Sequence, residues 1–216
     1  RGMLSPDVFL PLAEKTGLIV PLGNWVIDEA CRQLSEWRKQ GNIDWSVAVN
    51  LSTLQFEQPS LVQTIMDSLQ KHGVPPDTLI LEVTETTAMT NPDESVRVLT
   101  ELTDAGVQAS IDDFGTGYSS LLYLKRLPAC ELKIDRAFVR ELSSDGDDAT
   151  IVSAIIALAK TLNLKVVAEG VETAEQQAFL TELGCNTLQG YLLGRPVTPE
   201  IISSQGNTLC QQEPVC

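Results

Sequence analysis

The feature that most limits what this chain can fold into is an alternation. Short apolar runs with strand character recur six times, separated by stretches with helical spacing. The runs are Trp45–Val49, Leu79–Glu85, Val107–Ile111 leading into Asp112-Asp113, Leu132–Asp135, Lys165–Glu169 and Asn186–Gly190. Their length and composition suit buried strands. Helices are expected at 60–72, from Asn91-Pro92 to Asp104, at 148–163, and from the Thr173/Gln176 capping box to a stop at Gly184. Two helices precede the first strand. Asp7–Lys15 follows a Ser5-Pro6 start and stops at Gly17, and 24–40 carries Val26, Ile27, Ala30, Leu34 and Trp37 on one face. Tyr118-Ser119-Ser120 is a further candidate helix start, and a brief helix at 198–204 closes the series.

Alternating strands and helices imply a parallel sheet. An open doubly wound sheet and a closed barrel both satisfy that pattern. Polar residues separate them. Asn50, Glu82, Asp112, Lys133, Glu169 and Gln189 each sit at or near the C-terminal end of a different run. An open sheet gathers ligand contacts mainly at its switch point, whereas a barrel brings every strand end to one mouth. The expected fold is therefore α/β, a TIM-like (β/α) barrel. Eight strands is the usual closure, so six strands read as a barrel truncated at its N-terminus. The domain is expected to fill residues 1–204, with 205–216 a flexible tail.

Composition narrows the function. The 216 residues, 43% of them hydrophobic, suit one soluble globular domain. A net charge of -14 without a basic patch excludes a nucleic-acid polymer as the expected partner, although bound metal ions can invert the local sign for a smaller anionic ligand. Cys31, Cys130, Cys185, Cys210 and Cys216 form no Cys-x-x-Cys pair, and their number is odd. Reduced thiols and a cytoplasmic location follow as the simplest reading. His72 is the single histidine, which argues against a histidine-built metal site or triad. No signal peptide is visible. The longest apolar stretch, Ile151–Leu164, is interrupted by Ser153, Lys160, Thr161 and Asn163 and is too short to span a bilayer. The first residue is Arg1, so the chain reads as part of a longer protein in which a membrane anchor can lie elsewhere.

The strand-end residues suggest chemistry. Glu82, Asp112 and Asp113 are hard oxygen donors and Asn50 offers a neutral carbonyl, a set suited to Mg²⁺ or Mn²⁺ rather than zinc. Asp112 can bridge two ions, with Asp113 on the second, and such a pair supports phosphodiester hydrolysis. Lys133 can orient water or screen phosphate, and Glu169 can accept a proton or complete a metal shell. Blander readings exist for each residue. A lone strand-end carboxylate is usually solvated or caps the next helix, and Lys133 can be an internal salt-bridge partner. Asp113-Phe114-Gly115 also resembles a protein-kinase motif, but neither a glycine-rich nucleotide loop nor a His-Arg-Asp loop accompanies it.

Six ordered segments carry a resemblance to a known family. They are Asn50-Leu51-Ser52, Glu82-Val83-Thr84-Glu85, Asp112-Asp113-Phe114-Gly115-Thr116-Gly117-Tyr118-Ser119-Ser120-Leu121, Leu132-Lys133-Ile134-Asp135, Ala168-Glu169-Gly170-Val171-Glu172 and Gln189-Gly190-Tyr191. Together with Leu4-Ser5-Pro6 and Phe9–Glu14, they make the chain resemble the EAL domain, the cyclic di-GMP phosphodiesterase of bacterial signalling, over roughly residues 1 to 200. The resemblance implies hydrolysis of cyclic di-GMP to pGpG with two Mg²⁺ or Mn²⁺ ions at the mouth of a TIM-like barrel. By motif position it implies Asn50, Glu82 and Asp112 as ligands of a first ion and Asp112 and Asp113 as ligands of a second. It implies Lys133 as the water-orienting lysine and Glu169 as the general base. Gln189, Glu172 and Thr116 match further motif positions around substrate and loop, and Glu85 matches the glutamate that holds the Asp-Phe-Gly-Thr-Gly loop. The resemblance also implies a homodimer linked through that loop, and companion sensory or GGDEF-type diguanylate cyclase domains in the full-length protein.

The Glu-Ala-Leu motif itself is absent. In the family it lies just upstream of the segment matching residues 1–6. The expectation is therefore that two strands, one metal-ligand glutamate and a substrate-contacting arginine lie outside this chain, leaving an unpaired edge on the Val47–Val49 strand and a weakened first metal site. The parent protein reads as catalytically competent, and the sequence leaves the activity of this fragment open. A non-catalytic cyclic di-GMP receptor or interaction module is the competing function, and a scaffold with an unused mouth is a third.

Overall fold

The computed structural model describes residues 4–117, 121–142 and 146–209. Six strands, β1 (Val47–Leu51), β2 (Leu79–Thr84), β3 (Gln108–Phe114), β4 (Glu131–Ile134), β5 (Lys165–Ala168) and β6 (Thr187–Leu188), form one sheet in sequential order. Every neighbouring pair is parallel. The sheet curls into a half-barrel, with β1 and β6 as its edges among the described residues.

The period-2 alternation of each strand separates two faces. Leu79, Leu81, Val83, Ala109, Ile111, Leu132, Ile134, Val166 and Ala168 point to the convex face and are almost fully buried. The helices α2 (Ile19–Lys39), α4 (Leu61–His72), α6 (Pro92–Asp104), α9 (Asp147–Thr161) and α10 (Ala174–Glu182) cover them, and α1 (Pro6–Thr16) packs on α2. Ile27, Leu34, Ile65, Leu99, Leu102 and Ile156 supply the helical side of the core. The concave face takes the other register positions, including Glu82, Ser110, Asp112 and Lys133. One sheet thus has an apolar outside and a charged inside, so the site is built where the helices are not.

Several boundaries differ from the sequence reading. β1 lies two residues later than Trp45–Val49, because Trp45 leaves the strand to pack edge-on against Trp37 at 5.2 Å between ring centroids. α2 starts at Ile19 rather than 24, since Gly17 in a left-handed conformation breaks the chain for only two residues and Pro21 fits the first turn. Three short helices follow directly on strand ends, α3 (Thr53–Phe56), α5 (Glu85–Thr90) and α8 (Arg136–Arg140), and a fourth, α7 (Leu121–Leu124), lies further beyond β3. The last helix, α11 (Pro199–Leu209), is longer than the expected 198–204. It packs back on α2, where the Trp37 Nε1–H donates to Ser203 Oγ at 2.9 Å. Tyr118-Ser119-Ser120, Cys210 and Cys216 lie outside the described residues. No described helix is long and apolar enough to cross a membrane.

Leu99 of α6 is 0% exposed and far in sequence from any strand end. Truncating it leaves a cavity that the packed sheet cannot collapse into, so Leu99→Ala is expected to cost about 2–5 kcal/mol of stability. Denaturant unfolding measures this, and a loss below about 1 kcal/mol contradicts the placement of the core.

Candidate active site

The C-terminal ends of β2, β3, β4 and β5 deliver their polar side chains to one point. Lys133 is at its centre. Its ammonium lies 2.8 Å from Glu82 Oε1, 3.2 Å from Asp112 Oδ1 and 2.6 Å from Glu169 Oε1. Lys133 is 3% exposed, Glu82 7% and Asp112 6%. An isolated charge at such depth is prohibitively costly, and only a well-formed group of opposite charges makes it tolerable. Burial alone lowers the Lys133 pKa, but its hydrogen bonds to Glu169 and Glu82 outweigh burial and raise it. The lysine is therefore a fixed cation. Burial raises the Glu82 pKa, aided by the charges of Asp112 and Glu169 and opposed by Lys133.

Asp113 is held by unusual backbone. Its φ is 53°, in the left-handed region that L-residues rarely adopt, and the β3–β4 register shifts between Ile111 and Phe114. The bulge lets two consecutive residues serve the same end of the barrel, whereas regular pleating would point them to opposite faces. The bulge is closed locally. The Asp113 N–H donates to Asp112 Oδ1 at 2.9 Å, and Thr116 Oγ1 donates to the Asp113 carbonyl at 2.8 Å. A non-glycine residue in this region costs about 1–3 kcal/mol and persists only where its surroundings hold it.

Asp112, Asp113 and Glu169 place carboxylate oxygens within 4.8 Å of one another. Burial, the charge of Asp112, a hydrogen bond with Asp135 and the charge of Glu169 together push the Asp113 carboxyl up to about 6. Asp135 is the contributor that sequence reasoning missed. It lies two residues after Lys133, and the Ala137 N–H donates to its Oδ1 at 2.8 Å as the cap of α8. The i, i+2 spacing from Lys133 was the signal, since it returns Asp135 to the same side of the strand. Three carboxyl groups (Glu82, Asp112 and Glu169) thus meet one ammonium, with a fourth, Asp113, beside Asp112 and Glu169. This excess of hard, negatively charged oxygen fits a divalent cation.

The remaining candidates take different places. Asn50 pairs in register with Glu82 on the edge strand and is exposed. Gln189 is exposed and shares with Glu82 and Lys133 a trough of about 550 Å³ along the concave face. Glu172 is exposed beyond β5. Among the described residues, Thr116 reaches the site through the Asp113 carbonyl. Glu85, 2% exposed, lies beneath the Asp-Phe-Gly-Thr-Gly loop, where its Oε2 accepts from the Gly115 N–H at 2.8 Å. Its Oε1 has no partner among the described residues and would lie 2.8 Å from any Cβ at Gly117.

In the metal-free protein, Asp113 has a folded pKa near 6 against an ordinary value of 3.8. The folded state then holds the proton more tightly than the unfolded chain, so this group's contribution to stability falls as pH rises through that window. Asp113→Asn removes the contribution. The thermal midpoint of the variant minus that of the wild type is expected to increase with pH between about 4 and 6, and a flat or falling difference contradicts the assignment.

The sequence and the fold are similar to those of known proteins. A family model described as the EAL domain matches residues 1–196. The chain is 63% identical over 200 residues to MucR of Pseudomonas aeruginosa, a bifunctional diguanylate cyclase/cyclic di-GMP phosphodiesterase, covering 93% of this chain and 29% of that protein. It is 41% identical over 197 residues to the cyclic di-GMP phosphodiesterase PdeR of Escherichia coli, covering 91% of this chain and 30% of that one. The chain therefore spans less than a third of the length of these relatives. The solved structure of the PaMucR phosphodiesterase in its c-di-GMP complex superposes with a TM-score of 0.91 at 62% identity, over 94% of this chain and 82% of that chain. The FimX EAL domain from Pseudomonas aeruginosa, bound to c-di-GMP, gives a TM-score of 0.82 at 26% identity, over 89% of this chain and 77% of that chain.

Proposed function

This chain belongs to the EAL domain family, and from that premise we propose that it hydrolyses cyclic di-GMP to linear pGpG. The observation that carries the proposal is the convergence of Glu82, Asp112 and Glu169 on the buried Lys133, with Asp113 alongside. Two divalent ions, Mg²⁺ or Mn²⁺, would be held by Asn50, Glu82 and Asp112 on one side and by Asp112 and Asp113 on the other. When bound, they supply Lewis-acid stabilisation of the phosphodiester's developing charge.

The chain's own residues do the rest. Glu169 is less buried than Glu82 or Asp112, with its side chain 18% exposed, so it is the carboxylate a water molecule can reach. It takes the proton of the attacking water as the new P–O bond forms and the bond to the 3′ oxygen breaks. The departing oxygen then takes up a proton, leaving a 5′-phosphate and a free 3′-hydroxyl. Lys133 stays charged throughout, which fixes the Glu169 carboxylate and screens the phosphate. Thr116 and Glu85 brace the loop that presents Asp113, and the dinucleotide would lie over the C-terminal strand ends, with Gln189 and Glu172 exposed at the margin. The name of MucR supports a cyclase-type companion domain in the whole protein; a homodimer and a cytoplasmic location complete the reading.

In the intact protein, Glu82→Gln is expected to abolish pGpG formation, because it removes a charge from the ion-binding set. Glu169→Gln is expected to slow turnover by about 10²–10⁴-fold while cyclic di-GMP still binds. Chromatographic detection of pGpG, paired with calorimetric binding, separates the outcomes. Wild-type rates in either variant sink the assignment, and binding without turnover by the wild type makes the protein a receptor instead.

A further inference from the structure

The Thr173/Gln176 capping box holds more than a helix end. Gln176 is 7% exposed, and its amide is used on both sides. Its Oε1 accepts from the N–H groups of Glu172 at 2.8 Å and Thr173 at 3.0 Å, which is the cap. Its Nε2 donates to the carbonyls of Val139 at 2.9 Å and Arg140 at 3.4 Å, which lie at the end of α8. Capping α10 requires only the first pair. The second pair ties the segment after β5 to the segment after β4.

A second contact joins the same two segments. Gly170 has φ +71°, and a Cβ there would lie 2.7 Å from Arg136 Cβ and 3.4 Å from Arg136 Cα. Only glycine permits so close an approach. Glu169 directly precedes Gly170, and Lys133 lies three residues before Arg136. The regular β4–β5 ladder ends at Ile134 and Ala168. Beyond it, the two strand ends are held together by the Glu169 N–H to Ile134 carbonyl bond, the Gly170–Arg136 contact and the Gln176 amide.

We infer that Gln176 is a positioning residue for the Lys133–Glu169 pair: its amide fixes the separation of the β4 and β5 ends, and so the 2.6 Å contact between the lysine and the carboxylate. The geometry explains why an amide is needed. A glutamate of the same shape could still accept from Glu172 and Thr173, but it would set an anionic oxygen against two carbonyl oxygens. Gln176 touches neither substrate nor ions and acts only through the two segments that it joins.

The proposal rests on the hydrolytic reading, and its test separates the two. In the intact protein, Gln176→Glu and Gln176→Ala are compared with Thr173→Ala, which weakens the cap but leaves the clamp on α8. Gln176→Ala places no like charges together, so the comparison stands even where the glutamate variant does not fold. Turnover of cyclic di-GMP, cyclic di-GMP binding and the ¹⁵N resonance of Lys133 Nζ are measured well below each melting temperature. The Gln176 variants are expected to lose about 10- to 100-fold in kcat, with KM little changed and the Lys133 resonance displaced. Thr173→Ala is expected to lower the melting temperature with kcat within about twofold and the resonance in place. Equal effects of the Thr173 and Gln176 variants on kcat and on the resonance would reduce Gln176 to a helix cap and overturn the inference. No turnover even in the wild type, with a displacement confined to the Gln176 variants, would refute hydrolysis and uphold the joint.

Discussion

The structure depends on one buried ammonium. Lys133 projects into the half-barrel, where carboxylates from β2, β3 and β5 meet it. Removing the cation would leave Glu82 and Asp112 buried without a compensating charge, a state that costs several kcal/mol. The apolar convex face makes this arrangement possible. The helices bury the outward residues of each strand and hold the strand ends in register, so the concave side can be given over to charge. Stability and chemistry are thus allotted to opposite faces of one sheet.

The charge at the mouth is unbalanced by design of the backbone. Regular pleating would have turned Asp113 away from Asp112, but the left-handed φ at Asp113 and the bulge against β4 keep it beside Asp112 and Glu169. The result is a carboxyl that holds its proton to about 6. A site under such electrostatic pressure gains from divalent cations, and the same pressure destabilises it without them. The strain at Asp113 is maintained by Thr116 and by the Glu85 carboxylate beneath Gly115. Loop and carboxylate cluster are therefore one mechanical unit.

Much of this was legible in the sequence because strand periodicity carries its own coordinates. Glu82, Asp112, Lys133 and Glu169 could be placed at strand ends from the apolar runs that precede them. The parallel order β1 to β6 followed from the alternation with helices, and the family from six ordered motifs. What was not legible has physical reasons. α3, α5, α7 and α8 have only four to six residues, too few to display a helical period. Asp135 was read as the end of a strand because its contact with Asp113 depends on a bulge in another strand. Gln176 was visible as a cap from its spacing to Thr173, but its clamp on Val139 and Arg140 spans 36 to 37 residues and has no local signature. α11 continued past residue 204 because Ser203 and Ile202 anchor it on α2 and the core, a tertiary effect that polar composition conceals.

If hard cations balance this carboxylate cluster, the balanced site cuts a phosphodiester only when they are bound. The most direct measurement counts Mn²⁺ bound to the intact protein by electron paramagnetic resonance while following pGpG release in the same titration. Two ions per site are expected, with turnover rising as the second binds, and Asp112→Asn is expected to lose both ions and turnover together. Hydrolysis that persists in excess chelator, or ions that bind undiminished in the Asp112 variant, would contradict the account.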